Sequence, residues 1–262
     1  MKELLKKYGI TDYGFVDFNS LKTFNVRSIS RIPSGCRTAV AMIFPYYNRE
    51  AFKGNISAYC SVEDYHIVVG DLLKKICREA REKWPEYSFE PFVDSSPIDE
   101  VDMCVKAGLG VRGVNSLLIS PKYGSYIFIG EILTDMELPT EDRTHTGCLN
   151  CGRCVAACPG KAISENGVDR ARCASFISQK KGELTREEEQ ILRSAGTVFG
   201  CDICQKVCPM NRKAEAFSNL FSENIINLVT EENVEGLYKK RAFGFRGLKV
   251  LKRNLEIYNS EK

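Results

Sequence analysis

The chain has 262 residues, with 37 Lys and Arg against 34 Asp and Glu, and therefore a formal net charge of +3. A hydrophobic fraction of 44% and a charged fraction of 27% are typical of a globular protein and exclude a disordered or fibrous one. The longest apolar runs are too short to span a bilayer, and the N-terminus lacks the continuous apolar core of a signal peptide. We therefore expect a cytoplasmic protein with no membrane partner.

The first half of the chain alternates strand-like and helix-like patterns. Residues 38–44 form an apolar run, which predicts a buried strand. From Tyr65 onward, apolar residues recur at helical spacing and predict a helix that ends near Trp84. Ser61 or Asp64 is the expected N-cap of this helix, because both side chains can accept a hydrogen bond from its first turn.

A shorter helix and two strands follow along the chain. The helix is predicted over residues 99–107, closed by the next glycine in the manner of a C-cap. The runs NSLLIS and SYIFIGEIL predict two strands joined as a hairpin at residues 121–124. This alternation favours a mixed α/β domain.

Cysteine spacing is the strongest chemical signal in the second half. Eight of the twelve cysteines fall between Cys148 and Cys208, and in a reducing cytoplasm this number indicates metal binding rather than disulfides. The first run, Cys148-x2-Cys151-x2-Cys154-x3-Cys158 followed by proline, has the spacing of a bacterial ferredoxin.

A second run, Cys201-x2-Cys204-x3-Cys208 followed by proline, is one cysteine short of that spacing, and Cys173 is available to complete it. In two-cluster ferredoxins the cysteine before the proline ligates the other cluster. We therefore predict two 4Fe-4S clusters that exchange one cysteine between runs. The first cysteine set comprises Cys148, Cys151, Cys154 and Cys208. The second cysteine set comprises Cys158, Cys173, Cys201 and Cys204.

A pair of structural zinc sites is the alternative interpretation of these runs. Zinc sites favour two well-separated cysteine pairs, whereas four cysteines within eleven residues followed by proline favour a cubane cluster. Two clusters alone can transfer electrons or store two of them, but they do not carry out chemistry on a substrate. The cysteine runs therefore fit either an enzyme or a non-enzymatic electron carrier.

The N-terminal half carries a broader resemblance. The stretches IPSGCRTAVAMIFPY, DYHIVVGDLL, FVDSSPIDE, AGLGVRGVNSLLIS and GSYIFIGEILTDMEL precede the cysteine runs, and FRGLKVLKRN follows them. In this order, from about residue 30 to residue 254, the sequence resembles the epoxyqueuosine reductase family. The resemblance implies a base-off cobalamin held between the N-terminal domain and the cluster domain. It also implies an oxidoreductase that removes the epoxide oxygen of a modified tRNA anticodon base, giving queuosine.

The implied reaction consumes two electrons and two protons, with the cofactors supplying the reactive chemistry. The implied partners are tRNA and an external electron donor such as a ferredoxin or a flavodoxin. One alternative is a relative that uses the same cofactors on another small electrophile, as reductive dehalogenases do. The other is the two-cluster electron carrier without enzymatic activity.

The resemblance also assigns roles to individual residues. Asp94, in VDSSP, matches the family's proton donor, and donation at neutral pH requires burial to raise its pKa. The alternative is that Asp94 caps the turn into the following helix. Glu100 matches a family glutamate or is an ordinary first-turn acid. The implied cobalamin contacts are Tyr59, Asp64, His66, Asp94 and Ser175.

Three features depart from the family pattern. Val114 stands where the family has a lysine, so we expect a cation near the substrate to be lost. The YA-x-G stretch is altered, with Cys60 for its alanine and Val62 for its glycine. The chain also stops about where the family continues into a C-terminal helical-repeat region. Seven cations between Lys239 and Arg253 either bind RNA phosphates or form a solvated helix face.

The expected fold class is α+β, in three parts. A mixed α/β domain that binds cobalamin and substrate spans residues 1–139. A bacterial-ferredoxin-like domain with two 4Fe-4S clusters spans residues 140–215. A short, helical, basic C-terminal segment spans residues 216–262, in which we expect mainly helical structure after the last cysteine.

Overall fold

The computed structural model describes residues 1–24, 26–47, 50–140, 146–215, 219–221 and 224–260. The strands are β1 (Tyr13–Asp17), β2 (Thr38–Pro45), β3 (Phe89–Phe92), β4 (Val111–Arg112), β5 (Leu118–Ile119), β6 (Ile127–Thr134), β7 (Ile163–Ser164) and β8 (Gly167–Val168). The helices are α1 (Lys2–Lys7), α2 (Tyr65–Lys83), α3 (Glu100–Lys106), α4 (Arg153–Ala157), α5 (Ala174–Ile177), α6 (Arg186–Ala195), α7 (Ile203–Lys206), α8 (Val234–Leu237) and α9 (Leu248–Asn259).

A four-stranded antiparallel sheet organises the N-terminal half, with strand order β1-β2-β6-β3. β2 and β6 form its centre, paired from Thr38 with Thr134 to Pro45 with Ile127. All eight residues of β2 are buried, as expected of a central strand covered on both faces. The strand predicted over residues 38–44 is confirmed.

One helix covers each face of this sheet. α2 begins where predicted, and its N-cap is Asp64, whose side chain accepts a hydrogen bond from the His66 amide at 3.0 Å. Its apolar face packs with β2 and β6 in the largest core. α3 covers the opposite face and is capped by Asp99, which accepts from the Asp102 amide at 3.0 Å.

The predicted hairpin between the two strands after α3 is wrong. β5 pairs with β4, whereas β6 lies between β2 and β3. Among the described residues, an isolated bridge from Ser120 to Gly124 is formed at the turn between the two segments. The eight-residue ladder with β2 determines where β6 lies, because it buries apolar side chains on both faces of the sheet.

The cysteine-rich region is built from short helices. α4 packs against α7, so the two cysteine runs lie side by side. α6 begins with a capping box between Thr185 and Glu188, and it ends at Gly196 in the left-handed conformation. A bridge between Ile56 and Phe199 joins this region to the N-terminal half.

The C-terminal segment is part of the packed structure. After Cys208 the described residues form α8, α9 and three short 3₁₀ helices (Pro209–Asn211, Asn219–Phe221 and Ala242–Arg246), as expected of a mainly helical segment. Asn254 on α9 is buried and donates to the carbonyl oxygens of Ser178 (2.8 Å) and Val198 (2.7 Å). One core combines Ile56 and Cys60 of the N-terminal half with side chains of the two later regions. Among the described helices, none is long and apolar enough to cross a membrane.

Candidate functional site

The two cysteine runs exchange their last members in space. The first cysteine set lines one small cavity, together with Asn115 and Met210. The second cysteine set lines a different, larger cavity. The structure thus places Cys158 with the second run and Cys208 with the first.

The proline after each exchanged cysteine explains this geometry. A residue that precedes proline is forced out of the helical region into an extended conformation. Cys158 ends α4 at φ −68° and ψ 117°, and Cys208 follows α7 at φ −70° and ψ 120°. In each run, the backbone therefore turns away from its own helix at the exchanged cysteine.

Asn115 lies between the two cysteine sets, since it borders both cavities. Its side chain also counteracts the effect of burial on the Cys204 thiol, whose pKa it lowers. Hydrogen bonds to cluster sulfurs influence the reduction potential of a cluster. Within the described residues, no three His, Cys, Asp or Glu side chains converge to hold a single metal ion.

The larger cavity lies between the cluster region and the N-terminal domain and has a volume of about 550 Å³. This size is within the range of pockets that bind drug-sized molecules. One side consists of the second cysteine set and residues around α5. The opposite side of the cavity is formed by residues of the N-terminal domain: Tyr46, Ser57, Tyr59, Arg112, Asn115, Ser116, Leu117, Ser125 and Ile127.

The predicted cobalamin contacts divide into two groups. Tyr59 and Ser175 line the large cavity. Asp64, His66 and Asp94 are absent from its lining residues and form a cluster of their own at the start of α2.

His66 links the two aspartates of this cluster. Its Nδ1 lies 2.7 Å from Asp64 Oδ1, and its Nε2 lies 3.3 Å from Asp94 Oδ2. Burial alone would lower the pKa of His66, but the hydrogen bonds to both carboxylates outweigh it and raise that pKa to about 9. The imidazole is therefore protonated at neutral pH.

The expected raised pKa of Asp94 is wrong for this conformation. The hydrogen bond from His66 outweighs burial and holds the pKa of Asp94 below its ordinary value. The Asp94 side chain is 56% exposed, which limits the desolvation on which the expectation depended. In this pair the proton resides on His66, and Asp94 is its acceptor.

The backbone at Asp94 adopts an uncommon conformation. Asp94 and Ser95 have φ values of 54° and 47°, in the left-handed region that costs a non-glycine residue about 1–3 kcal/mol. The Ser96 hydroxyl anchors this turn, because it donates to Glu131 and accepts from the Ile98 amide. Asp99 rather than Asp94 caps α3, so the capping role considered for Asp94 is not observed.

Two carboxyl groups are buried beneath the turn. Glu131 on β6 is completely buried, and Glu100 begins α3 on the same side of the sheet. One oxygen of each is buried without a hydrogen-bond partner in the described part of the chain. Burial raises the pKa of both groups, to about 8 for Glu131. Sequence reasoning missed Glu131, although a lone acid in the apolar run SYIFIGEIL was a signal.

The expected loss of a cation near the substrate at Val114 stays a prediction, and other cations line the large cavity. Val114 borders the small cavity of the first cysteine set, and it is not among the lining residues of the large one. Arg112, two residues earlier, lines the large cavity and pairs with Asp99 at 2.7 Å. Arg170 is a second cation in that lining.

Several cations of the C-terminal segment stabilise the protein itself. Arg241 is only 4% exposed and donates to the carbonyl oxygens of Ser61 and Asn224. Lys252 pairs with Glu235 at 2.6 Å. Because Arg241 and Lys252 make these internal contacts, fewer of the seven cations can bind RNA phosphates than the sequence suggested.

These features define a class of protein, in which an α/β domain is joined to a double-cluster iron–sulfur module. Residues 147–211 match the family model described as "4Fe-4S double cluster binding domain". Residues 27–95 match the model described as "Epoxyqueuosine reductase QueG, DUF1730".

Relatives of known name extend the match over most of the chain. The epoxyqueuosine reductase of Cyclobacterium marinum is 34% identical over 248 residues, covering 88% of this chain and 79% of that relative. The enzyme of Aliivibrio fischeri is 41% identical over 161 residues, which cover 61% of this chain and 43% of that relative. The chain belongs to the epoxyqueuosine reductase family.

Solved structures show the same fold. Epoxyqueuosine reductase from Streptococcus thermophilus matches with a TM-score of 0.82 at 24% identity, over 98% of this chain and 79% of that one. A relative in complex with an epoxyqueuosine-modified tRNA stem loop matches at 0.81 and 20% identity, over 98% and 80%. A reductive dehalogenase described for B12-dependent dehalogenation matches at 0.50 and 17% identity, over 97% and 35%.

Proposed function

We propose that this chain reduces epoxyqueuosine to queuosine in tRNA, as a cytoplasmic, cobalamin-dependent iron–sulfur oxidoreductase. The observation that carries the proposal is the cavity of about 550 Å³ between the second cysteine set and the N-terminal domain. Family membership supports the substrate, and so does the solved complex of a relative with a modified tRNA stem loop.

The proposed division of labour follows three segments. Residues 1–139 bind cobalamin and substrate, residues 140–215 hold both clusters, and residues 216–262 form a helical, basic C-terminal segment. The cavity supports this division because its lining residues come from both of the first two segments. The cations of the last segment that make no internal contact remain candidates for contact with tRNA phosphates.

The residues present fit the proposed cofactors. Each cysteine set surrounds its own space and supplies four thiols, the number that a 4Fe-4S cluster requires. The large cavity offers hydroxyl and guanidinium donors from Tyr59, Ser175 and Arg112 to a polar-edged cofactor. Both ring nitrogens of His66 face carboxylates, which supports a base-off cobalamin without a histidine ligand.

The reaction balances with two electrons and two protons, which convert the epoxide oxygen to water and leave a carbon–carbon double bond. Bound cobalamin would supply the reactive cobalt and accept electrons from the adjacent cluster. The chain itself supplies a proton held between His66 Nε2 and Asp94 Oδ2. We propose that Asp94 passes this proton to the departing oxygen and that His66 replenishes it.

The proposal is tested with reconstituted protein under anaerobic conditions. We expect cob(II)alamin to bind with the spectrum of a base-off corrin, and an anticodon stem-loop carrying epoxyqueuosine to be converted to the queuosine form. Mass spectrometry should show the loss of one oxygen. An unchanged cobalamin spectrum would show that the protein does not bind cobalamin and would favour the two-cluster electron carrier. Bound cobalamin without turnover of the stem-loop would point to another electrophile.

A further inference from the structure

We propose that an acidic one-electron carrier protein docks on a basic surface beside the first cysteine set, and that electrons enter the protein there. The basic surface is formed by Arg153, Ala156, Ala157, Lys206, Val207 and Arg212. This inference rests on the proposed function only in that the first cysteine set holds a cluster.

The two cysteine sets have different surroundings, which gives the electron path a direction. The second set borders the large cavity, whereas the first set lines a small cavity of its own. Cys151 of the first set is exposed, and Leu149 beside it is 63% exposed. The first set therefore lies on the outside of the molecule, and an external donor reaches it before it reaches the second.

The basic surface is adjacent to ligands of the first set. Arg153 immediately precedes Cys154 in α4, and Val207 immediately precedes Cys208 after α7. Because α4 and α7 pack together, the surface is formed by residues that neighbour both cysteines along the chain. A protein bound on this surface would place its redox centre close to the first cluster.

The three cations of this surface are exposed, and Lys206 also lies over the Phe52 ring, 5.3 Å from its centroid. Arg153, Lys206 and Arg212 are exposed, and none forms an ion pair with another described residue. By contrast, Arg172 and Lys180 in the same region pair with glutamates at 3.1 Å and 2.8 Å. An unpaired basic surface favours an acidic partner and raises the association rate by electrostatic steering.

The shape of the surface suits a transient partner. Two alanines lie between the cations, so a partner can approach the backbone of α4 closely. Electron-transfer encounters use small interfaces, since the carrier must leave after each delivery. Each docking event would oxidise the carrier by one electron and reduce one cluster by one electron. Two such events supply the two electrons that the proposed reduction consumes.

The experiment compares two double charge reversals with the same change in net charge. R153E/R212E alters the basic surface, and K75E/R78E alters the exposed face of α2. Protein with both clusters is mixed with reduced flavodoxin, an acidic carrier, and bleaching of the cluster absorbance is followed by stopped flow. For R153E/R212E we expect the second-order rate to fall by about tenfold or more at low salt, with less effect at high salt. The control should change by less than about twofold.

Reduction by dithionite at high salt, where the charge effect on this anionic reductant is screened, provides the internal standard and should be equal in all three proteins. An unchanged flavodoxin rate in R153E/R212E would overturn the inference, as would an equal loss with dithionite. Loss of affinity for a tRNA stem-loop with unchanged flavodoxin kinetics would identify an RNA surface and also overturn it. If the double variant does not retain both clusters, the single variant R212Q replaces it. We expect R212Q to lower the rate of cluster reduction by flavodoxin by about threefold, because it removes one charge. The assay needs neither cobalamin nor tRNA, so its result is independent of the proposed reaction.

Discussion

His66 Nε2 lies 3.3 Å from Asp94 Oδ2, and the other ring nitrogen of His66 is held by Asp64 at 2.7 Å. The imidazolium is therefore flanked by two carboxylates at the start of α2. A proton held on His66 is available next to Asp94 without requiring Asp94 to have a raised pKa. This arrangement resolves the conflict between the proposed donor role of Asp94 and its lowered pKa.

The first prediction concerns the pH dependence of turnover. The pKa of His66 is raised to about 9, so the imidazole is charged below that pH and loses its proton as the pH rises through it. We expect wild-type kcat to fall above about pH 9. His66→Gln should lower kcat by about tenfold or more and remove this fall, since proton donors contribute factors of this size.

Asp64→Asn serves as the matched control for His66→Gln. It keeps an oxygen that can cap α2 but removes one charge beside the imidazole. The alkaline fall of kcat should therefore move to lower pH. If His66→Gln retains the wild-type pH profile, the fall does not originate in His66.

The second prediction concerns the buried carboxyl of Glu131. Its pKa is about 8 in the folded chain, against about 4.3 for an unfolded glutamate. Because the folded state binds the proton more tightly, stability is greatest at low pH and is lost as the pH rises towards 8. Glu131→Gln keeps an acceptor for Ser96 and removes the charge. We expect it to stabilise the protein by about 1–3 kcal/mol at pH 8.5.

Thermal midpoints at one scan rate, at pH 5 and pH 8.5, test this prediction. The gain at pH 8.5 should be about 2–6 °C, with little change at pH 5. Glu86→Gln, on an exposed residue, should show neither effect. A Glu131→Gln midpoint shifted equally at both pH values would show that the effect is one of packing rather than of charge.

The third prediction tests the exchange of cysteines between the runs. In the structure, Cys158 and Cys204 line the same cavity, whereas Cys154 lines the other. The pair C158S/C204S should therefore disrupt one cluster and retain about half of the iron, since each cluster needs four ligands. The pair C154S/C158S should disrupt both clusters.

Iron content and the EPR signal of the reduced protein report the outcome. If each run instead bound its own cluster, C154S/C158S would keep half of the iron and C158S/C204S would lose nearly all of it. The two double variants thus have opposite outcomes under the two arrangements. Cys77→Ser, on the buried face of α2, is a control that should retain both clusters.

Local patterns explain which features the sequence predicted. The bounds of α2 and its cap, expected at Ser61 or Asp64, depend on residues close in sequence, and the sequence predicted them. The partner of β6 depends on tertiary packing, so the hairpin prediction failed. The pairing of Glu100 with Glu131 likewise requires α3 to pack on the sheet. No sequence spacing indicates it.

The fourth prediction concerns Asp202, which joins the cluster region to the N-terminal domain. It is buried between Cys201 and α7, and it accepts hydrogen bonds from the Ser57 hydroxyl and, at 2.7 Å, from the Ala58 amide. Asp202→Ala leaves these buried donors without a partner. We expect it to destabilise the protein by about 2–4 kcal/mol, since each unsatisfied buried group costs about 1–3 kcal/mol.

Asp202→Asn is the informative comparison, because the amide oxygen can still accept one of these hydrogen bonds. Its loss of stability should be about half of that in Asp202→Ala. Limited proteolysis should show earlier cleavage around residues 57–58 in Asp202→Ala than in Asp202→Asn, because the contact between the two regions opens first. Equal protease resistance in wild type and Asp202→Ala would show that the apolar core around Ile56 and Phe199 is sufficient to hold the domains together.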